Sequence, residues 1–199
     1  MRVLIDARVP PGVRDLAERA GVDSGYVSRI LSLLDREALV ERRGHGKIVS
    51  VDWPRLLHRW AEDAPIESRG THSACLEPRG ISALLVRLKA FAGRYALTGT
   101  LAAEIVAPVT PSRLAVLYLE DVAEAIGGLG LRPAEAGANA LLIESKDDGV
   151  SVGASVRDGL TYVAPSQAAA DLLTSPGRGA AEGEALIAWM VQNEDAWRG

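Results

Sequence analysis

At 199 residues, with 48% hydrophobic but only 5% aromatic side chains, the chain is long enough for one ordinary domain and a small one, with cores built mainly from Leu, Val, Ile and Ala. No run approaches the roughly 18 to 20 apolar residues that span a bilayer, Arg2, Asp6 and Arg8 break any signal-peptide core, and the single Cys75 excludes an intramolecular disulfide, so a cytoplasmic protein without a membrane partner is expected. The net charge of −4 is uneven: residues 1–60 carry 11 Lys and Arg against 8 Asp and Glu, a net of +3, and residues 61–199 carry 11 against 18, a net of −7.

Met1 to Ala7 reads as the tail of a helix whose start is trimmed, and Pro10-Pro11-Gly12 breaks the chain after it. The most informative pattern follows. Leu16 and Ala17 form the apolar patch of a helix, Ala17 being small enough for a second helix to cross closely, and Gly21 ends it where a left-handed backbone is needed. Val22 is expected to plug the corner beneath the turn. Asp23 and Ser24 are good N-caps for the next helix, whose Val27, Ile30, Leu31 and Leu34 follow the i, i+3, i+4, i+7 stripe of a buried face. Its opposite face presents Gly25, Ser28, Arg29, Ser32 and Arg36, small groups beside long cations, a composition suited to a major groove.

Leu39-Val-Glu-Arg and Lys47-Ile-Val-Ser-Val then alternate around Arg43-Gly-His-Gly. This is a hairpin whose Arg42, Arg43, His45 and Lys47 can lie along a phosphate backbone. The whole reads as a winged helix-turn-helix that binds double-stranded operator DNA. Ser24, Tyr26, Ser28, Arg29, Ser32 and Arg36 are the candidates on the recognition helix, and Arg42, Arg43, His45 and Lys47 those on the wing. Tri-helical units with a hairpin also serve as protein–protein modules, which is the plainer alternative. Because +3 is modest, affinity is expected to need dimerisation, a second site or low salt, so a homodimer is considered.

Asp52 caps a helix with Trp53 and Pro54 in its first turn, and Leu56, Leu57 and Trp60 share one face, expected to pack on the winged unit. The polar stretch from Glu62, with Pro65 and Gly70, divides the chain into a DNA-binding domain at 1–62, a linker at 63–70 and a second domain at 71–199. In that domain the patterns predict strands at 71–76, 95–98, 113–119, 140–143 and 161–163. Helices are predicted at 79–90, 101–106, 122–129, 165–173 and 181–195, the layout of a mixed sheet covered by helices.

The strings Tyr95-Ala-Leu-Thr-Gly-Thr-Leu-Ala-Ala, Pro111-Ser-Arg-Leu-Ala-Val-Leu-Tyr-Leu-Glu and above all Asp158-Gly-Leu-Thr-Tyr-Val-Ala-Pro-Ser-Gln-Ala-Ala-Ala-Asp-Leu-Leu-Thr, followed by Glu182-Gly-Glu-Ala-Leu-Ile-Ala-Trp-Met, resemble the AbiEi family of antitoxin-type bacterial transcriptional regulators. The resemblance covers nearly the whole chain. It implies an amino-terminal winged helix joined to a domain reminiscent of a nucleotidyltransferase core, and repression of a toxin-antitoxin operon. A separate nucleotidyltransferase-like toxin would be encoded beside it, with direct contact left open. The expected fold class is therefore α+β, an N-terminal winged helix-turn-helix followed by a mixed α/β nucleotidyltransferase-like domain.

The rival expectation is an enzyme or nucleotide sensor. Gly99-Thr100, between a strand and a helix, resembles the element by which nucleotidyltransferases hold a triphosphate. Such chemistry also needs two carboxylates on one face of a neighbouring strand to hold magnesium. Val116-Leu-Tyr-Leu-Glu-Asp is apolar at alternate positions, and the consecutive Glu120 and Asp121 would point to opposite faces, so no catalysis is expected. Gly127-Gly-Leu-Gly follows a helix and reads as its stop. Ser166 falls in an N-cap region, Asp171 reads as a capping or surface carboxylate, and Cys75 as a semi-buried packing residue. Trp189 and Trp197 read as packing and surface residues of the last helix. His45, His58 and His72 lack ligand spacing, so neither metal nor cofactor is expected.

Overall fold

The computed structural model describes residues 1–44, 46–109, 111–145 and 148–199, so the expected wing residue His45 lies outside the described residues. Helix α1 (Arg2–Asp6) buries Leu4 and Ile5, and α2 (Val13–Ala20) buries Leu16 and Ala17. Gly21 stops α2 at φ 63° and ψ 32°, the left-handed conformation that only glycine takes at little cost, and its N–H donates back to the Ala17 and Glu18 carbonyls. Val22 corrects the expectation for this corner. It is 40% exposed, because its amide closes the turn onto the Ala17 carbonyl at 3.0 Å while its side chain stays on the solvent side. The corner is sealed by backbone hydrogen bonds.

Helix α3 (Ser24–Arg36) begins at Asp23, whose carboxylate accepts from the Gly25 and Tyr26 amides at 2.8 and 3.1 Å, and it buries Val27, Leu31 and Leu34. Strands β1 (Val40–Arg43) and β2 (Lys47–Val51) pair antiparallel with an irregularity at Glu41/Arg42, turning Val40 and Ile48 inward. Helix α4 (Trp53–Asp63), capped by Asp52 with Pro54 in its first turn, buries Trp53, Leu56, Leu57 and Ala61.

Beyond α4 the expected linker is packed. Ile66 of a 3-10 turn (Ile66–Ser68) is buried, and its N–H donates to Thr174 Oγ1 at 3.0 Å. The elements that follow are β3 (Thr71–Leu76), α5 (Ile81–Leu88), β4 (Tyr95–Thr98), α6 (Thr100–Ala103), β5 (Ala115–Leu119), α7 (Val122–Leu129), β6 (Arg132–Pro133) and β7 (Ala140–Glu144), then β8 (Ser155–Arg157), β9 (Leu160–Tyr162), α8 (Pro165–Leu173), α9 (Gly179–Gln192) and α10 (Glu194–Trp197). The segment expected as one helix at 181–195 breaks at Asn193, where ψ reaches 38°, and the helix expected at 101–106 ends at Ala103. Gly130, left-handed at φ 63°, stops α7.

The seven strands form one mixed sheet in the order β6-β3-β7-β5-β4-β9-β8, with β5–β7 and β4–β9 parallel and the other neighbours antiparallel. The fold is α+β. Alternation along β5 sends Val116 and Tyr118 to one face and Ala115, Leu117 and Leu119 to the other, and all five are buried, which explains the unbroken apolar run. On the second face Leu84 and Leu88 of α5 and Ala125 and Leu129 of α7 complete one core, which also encloses Cys75. That cysteine is fully buried, not semi-buried, because β3 lies inside the sheet between β6 and β7.

The first face carries α8 and α9, and its core runs without a break through α4 into α1, α2 and α3. Helix α4 packs on both α1 and α8, so it belongs to the sheet region as much as to the hairpin unit.

Candidate nucleic-acid interface

Asp23 and Gly21 fix how α3 follows α2, and packing of α3 on α2 and on β1 fixes which side chains are left outside. Ser24, Gly25, Tyr26, Arg29, Ser32 and Arg36 are exposed, and Ser28 is half-buried. Tyr26, 49% exposed, lies with its ring centroid 5.9 Å from the Arg29 guanidinium, a cation–π contact that orients both groups on the open face.

Ser32 does not stand free. Its Oγ donates to the Ser28 carbonyl at 2.9 Å and accepts from Arg42 Nη1 at 3.1 Å, which ties the hairpin to α3. Arg42 also donates from Nε to the Gly46 carbonyl at 3.4 Å, folding across Gly46. Gly46 has φ 84°, a left-handed backbone that favours glycine, and a Cβ there would meet the tip of the Arg42 side chain. Arg43 instead lies on Glu41, with Nη2 2.7 Å and Nε 2.9 Å from Oε1, and Ser50 donates to the other oxygen at 3.2 Å. The hydrogen bond and charge of Arg43 hold the Glu41 carboxyl below its usual value. Lys47 is exposed.

The cations of residues 1–60 thus divide by element. Arg2, Arg8, Arg43, Arg55 and Arg59 each lie within 4.0 Å of a carboxylate. Arg14 and Arg19 of α2, Arg29 and Arg36 of α3, and Arg42 and Lys47 of the hairpin have no such partner among the described residues. Arg14 and Arg19 were not singled out from the sequence. Among the described residues, the other cations without a carboxylate within 4.0 Å, Arg79, Lys89, Arg113, Arg132, Arg157 and Arg178, sit each on a different element or loop of the part with net charge −7.

A second polar cluster is wholly internal. Asp171 of α8, expected near the surface, is 0% exposed. It accepts from Thr98 Oγ1 at 2.6 Å, Gln167 Nε2 at 2.8 Å and Tyr118 Oη at 3.0 Å, with Arg69 Nε 3.2 Å away. Helix α8 is apolar or small on nearly all sides and is enclosed, so its few polar groups must pair internally. Burial pushes the Asp171 carboxyl above its usual value, against the opposing pull of Arg69 and the three donors. Ser166 is corrected too: Pro165 takes the first helical position, so Ala164 is the cap and Ser166 is buried one step inside.

At the end of β4, Gly99 (φ 65°) turns the chain into α6, and Thr100 Oγ1 donates to Glu182 Oε2 at 2.5 Å. A cavity of about 400 Å³ opens there, lined among others by His72, Gly99, Thr100, Arg113, Arg178 and Glu182. Burial, with Glu182 nearby, pushes the Glu104 carboxyl up. Tyr118 of β5 is occupied by Asp171, Glu120 is exposed, and Asp121 caps α7 through the Glu124 amide at 2.8 Å. Among the described residues no three His, Cys, Asp or Glu gather as metal ligands, and no helix is long and apolar enough to cross a membrane.

The class that these features define is α+β with a seven-stranded mixed sheet. Comparison with family models, with curated proteins and with solved structures finds no match to the chain.

Proposed function

We propose that the chain is a DNA-binding transcriptional regulator whose α1 to α3 and hairpin form a winged helix-turn-helix. The observation that carries this reading is the division of cations: those of residues 1–60 without a carboxylate partner among the described residues all lie on α2, α3 and the hairpin. Unpaired exposed cations project their field into solvent, where a polyanion with condensed counterions gains entropy by replacing them. In this reading α3 enters the major groove with Ser24, Tyr26, Ser28 and Arg29 toward base edges. Arg29 is the cation suited to bidentate contact with guanine. Arg14, Arg19, Arg36 and Lys47 meet phosphates, Arg42 stiffens the hairpin against Ser32, and Arg43 contributes only where its pair with Glu41 opens.

The resemblance to the AbiEi family extends the proposal. The chain would be an antitoxin that represses its own toxin-antitoxin operon, with a DNA-binding domain at 1–62, a junction at 63–70 and a non-catalytic nucleotidyltransferase-like domain at 71–199. The non-catalytic reading rests on β5, whose five side chains are all buried and apolar or aromatic where magnesium ligands would be needed. A gel shift of the full chain on the DNA upstream of its own gene tests the proposal. Retarded operator that survives competition by random DNA is expected, and equal competition by both would defeat it.

The alternative, a nucleotidyltransferase-type enzyme or nucleotide sensor, draws on the cavity at Gly99 and Thr100. Incubation with labelled nucleotide and magnesium should leave RNA and protein unlabelled. Incorporation abolished by Glu120→Ala or Asp121→Ala would establish the enzyme instead.

A further inference from the structure

Three features of the first turn of α3 converge on Arg29. Side chains three and four residues apart are neighbours on a helix and lean toward its N-terminus, so Arg29 reaches back over the turn that begins at Asp23. Gly25 leaves room for it: a Cβ at that position would touch Arg29 Nη1 at 3.7 Å and would press on Asp23 Oδ1 at 2.9 Å. Asp23 is the carboxylate placed to capture the guanidinium, yet it is committed elsewhere. Its Oδ1 accepts from the Gly25 and Tyr26 amides at 2.8 and 3.1 Å, and it does not come within 4.0 Å of an Arg29 nitrogen.

The helix itself offers Arg29 nothing at this end, because the free amides of a first turn carry partial positive charge. The Tyr26 ring supplies the favourable contact instead, with Arg29 Cζ over its face 5.9 Å from the centroid. Arg29 is exposed and makes no hydrogen bond among the described residues, so its N–H fork stays open to the O6 and N7 acceptors of guanine.

We infer that Tyr26 is a positioning residue for base recognition. Its ring holds Arg29 in the orientation that reads guanine, while Gly25 and the capped Asp23 keep that guanidinium unobstructed and unpaired. A long side chain fixed before binding gives up less rotamer freedom on contact, and the gain falls on the complex in which its geometry is used. The inference rests on the reading of α3 as the recognition helix and adds which side chain sets the specificity of Arg29.

Fluorescence anisotropy of the full chain on its own upstream DNA and on random DNA, at one salt concentration, gives a discrimination ratio for each variant. An exposed cation–π contact corresponds to about two- to fivefold, so Tyr26→Leu should lower the ratio by about that factor. Tyr26→Phe, which keeps the ring face, should retain the parent ratio. In the Arg29→Ala background Tyr26→Leu should change nothing further, because a residue that acts through another has no effect once the other is gone. In the free chain, nuclear Overhauser contacts should join the Tyr26 ring protons to the Arg29 side chain. The inference is overturned, with DNA binding left standing, by an unchanged ratio in Tyr26→Leu, by a loss in Tyr26→Phe equal to that in Tyr26→Leu, by a Tyr26→Leu loss undiminished beside Arg29→Ala, or by absence of the Overhauser contacts. A parent chain that binds operator and random DNA equally would instead defeat the reading of α3, and this inference with it.

Discussion

On the α2–α3–hairpin side, Arg14, Arg19, Arg29, Arg36, Arg42 and Lys47 stand without a carboxylate within 4.0 Å among the described residues, whereas at the junction of α1, α4, α8 and α10 the arginines Arg2, Arg69 and Arg198 each lie against one. Arg198 also donates to the Ile5 and Ala7 carbonyls at 3.0 and 2.7 Å, and Trp197 beside it packs edge-on against Trp53 at 5.0 Å. The same side chain therefore has two roles set by its neighbours. Where it is enclosed, a carboxylate must offset desolvation and its remaining donors reach other elements, as Arg2 does to Gln167 and Arg198 to Ile5 and Ala7; where it is open, its charge remains available to a ligand. The junction arginines should matter for folding and the open cations for binding.

The largest separation of these roles is expected at Asp171. Asp171→Ala leaves Arg69 buried without a counter-charge and should lower unfolding stability by about 3 to 5 kcal/mol, read by denaturant titration. A loss within about 0.5 kcal/mol, the ordinary surface value, would place Arg69 among the open cations and break the contrast. Next in size, Arg29→Ala should reduce operator affinity by about 1 to 3 kcal/mol and relax preference at one base position. Its folding stability should stay within about 0.5 kcal/mol of the parent. Equal losses on operator and random DNA would mean that Arg29 touches only phosphate.

A smaller effect is expected at His58, which bridges α4 and α9 at the junction. Its Nδ1 lies 2.8 Å from the Pro54 carbonyl and Nε2 2.8 Å from Glu184 Oε1, so both ring nitrogens face acceptors and the imidazolium satisfies both. Burial alone would lower its pKa, but the hydrogen bonds to Glu184 and Pro54 outweigh that and hold it above the ordinary 6.5. A folded-state value above the unfolded one gives stability that is fully present below the unfolded pKa and is lost as pH rises through the folded one. The melting-temperature difference between parent and His58→Gln should therefore shrink as pH rises from about 5.5 to about 8.5. A difference independent of pH would show that the histidine acts through packing alone.

Much of the hairpin unit was legible because its signals are local. Gly21 and Asp23 mark a helix stop and start within three residues, and β4 and α7 follow their periodicity to the residue. The edge strands β6 and β8 were missed, being two and three residues long and exposed throughout, with no alternation to read. Asp171 was misread because its partners, Arg69, Thr98 and Tyr118, come from three distant segments. The available signal was the composition of α8, where Ala, Leu and Pro surround Ser166, Gln167 and Asp171 in a helix without a polar face. The Arg42–Ser32 contact was hidden for a related reason, since it joins side chains of two elements ten residues apart. The packed 63–70 segment reads as a tether because Pro65, Ser68 and Gly70 are turn-formers whether or not the turn is buried.

The salt dependence of DNA binding tests the central claim most directly. Fluorescence anisotropy of the full chain on its own upstream DNA should give log affinity falling linearly with log salt. In a triple variant, Arg14→Gln with Arg36→Gln and Lys47→Gln, that slope should become shallower by about 0.9 for each phosphate contact removed. Arg59→Gln, whose partner groups are Glu37 and Asp63, should leave the slope unchanged. A folded triple variant with the parent slope, or a parent chain that shows no binding at about 50 mM salt, would contradict the account.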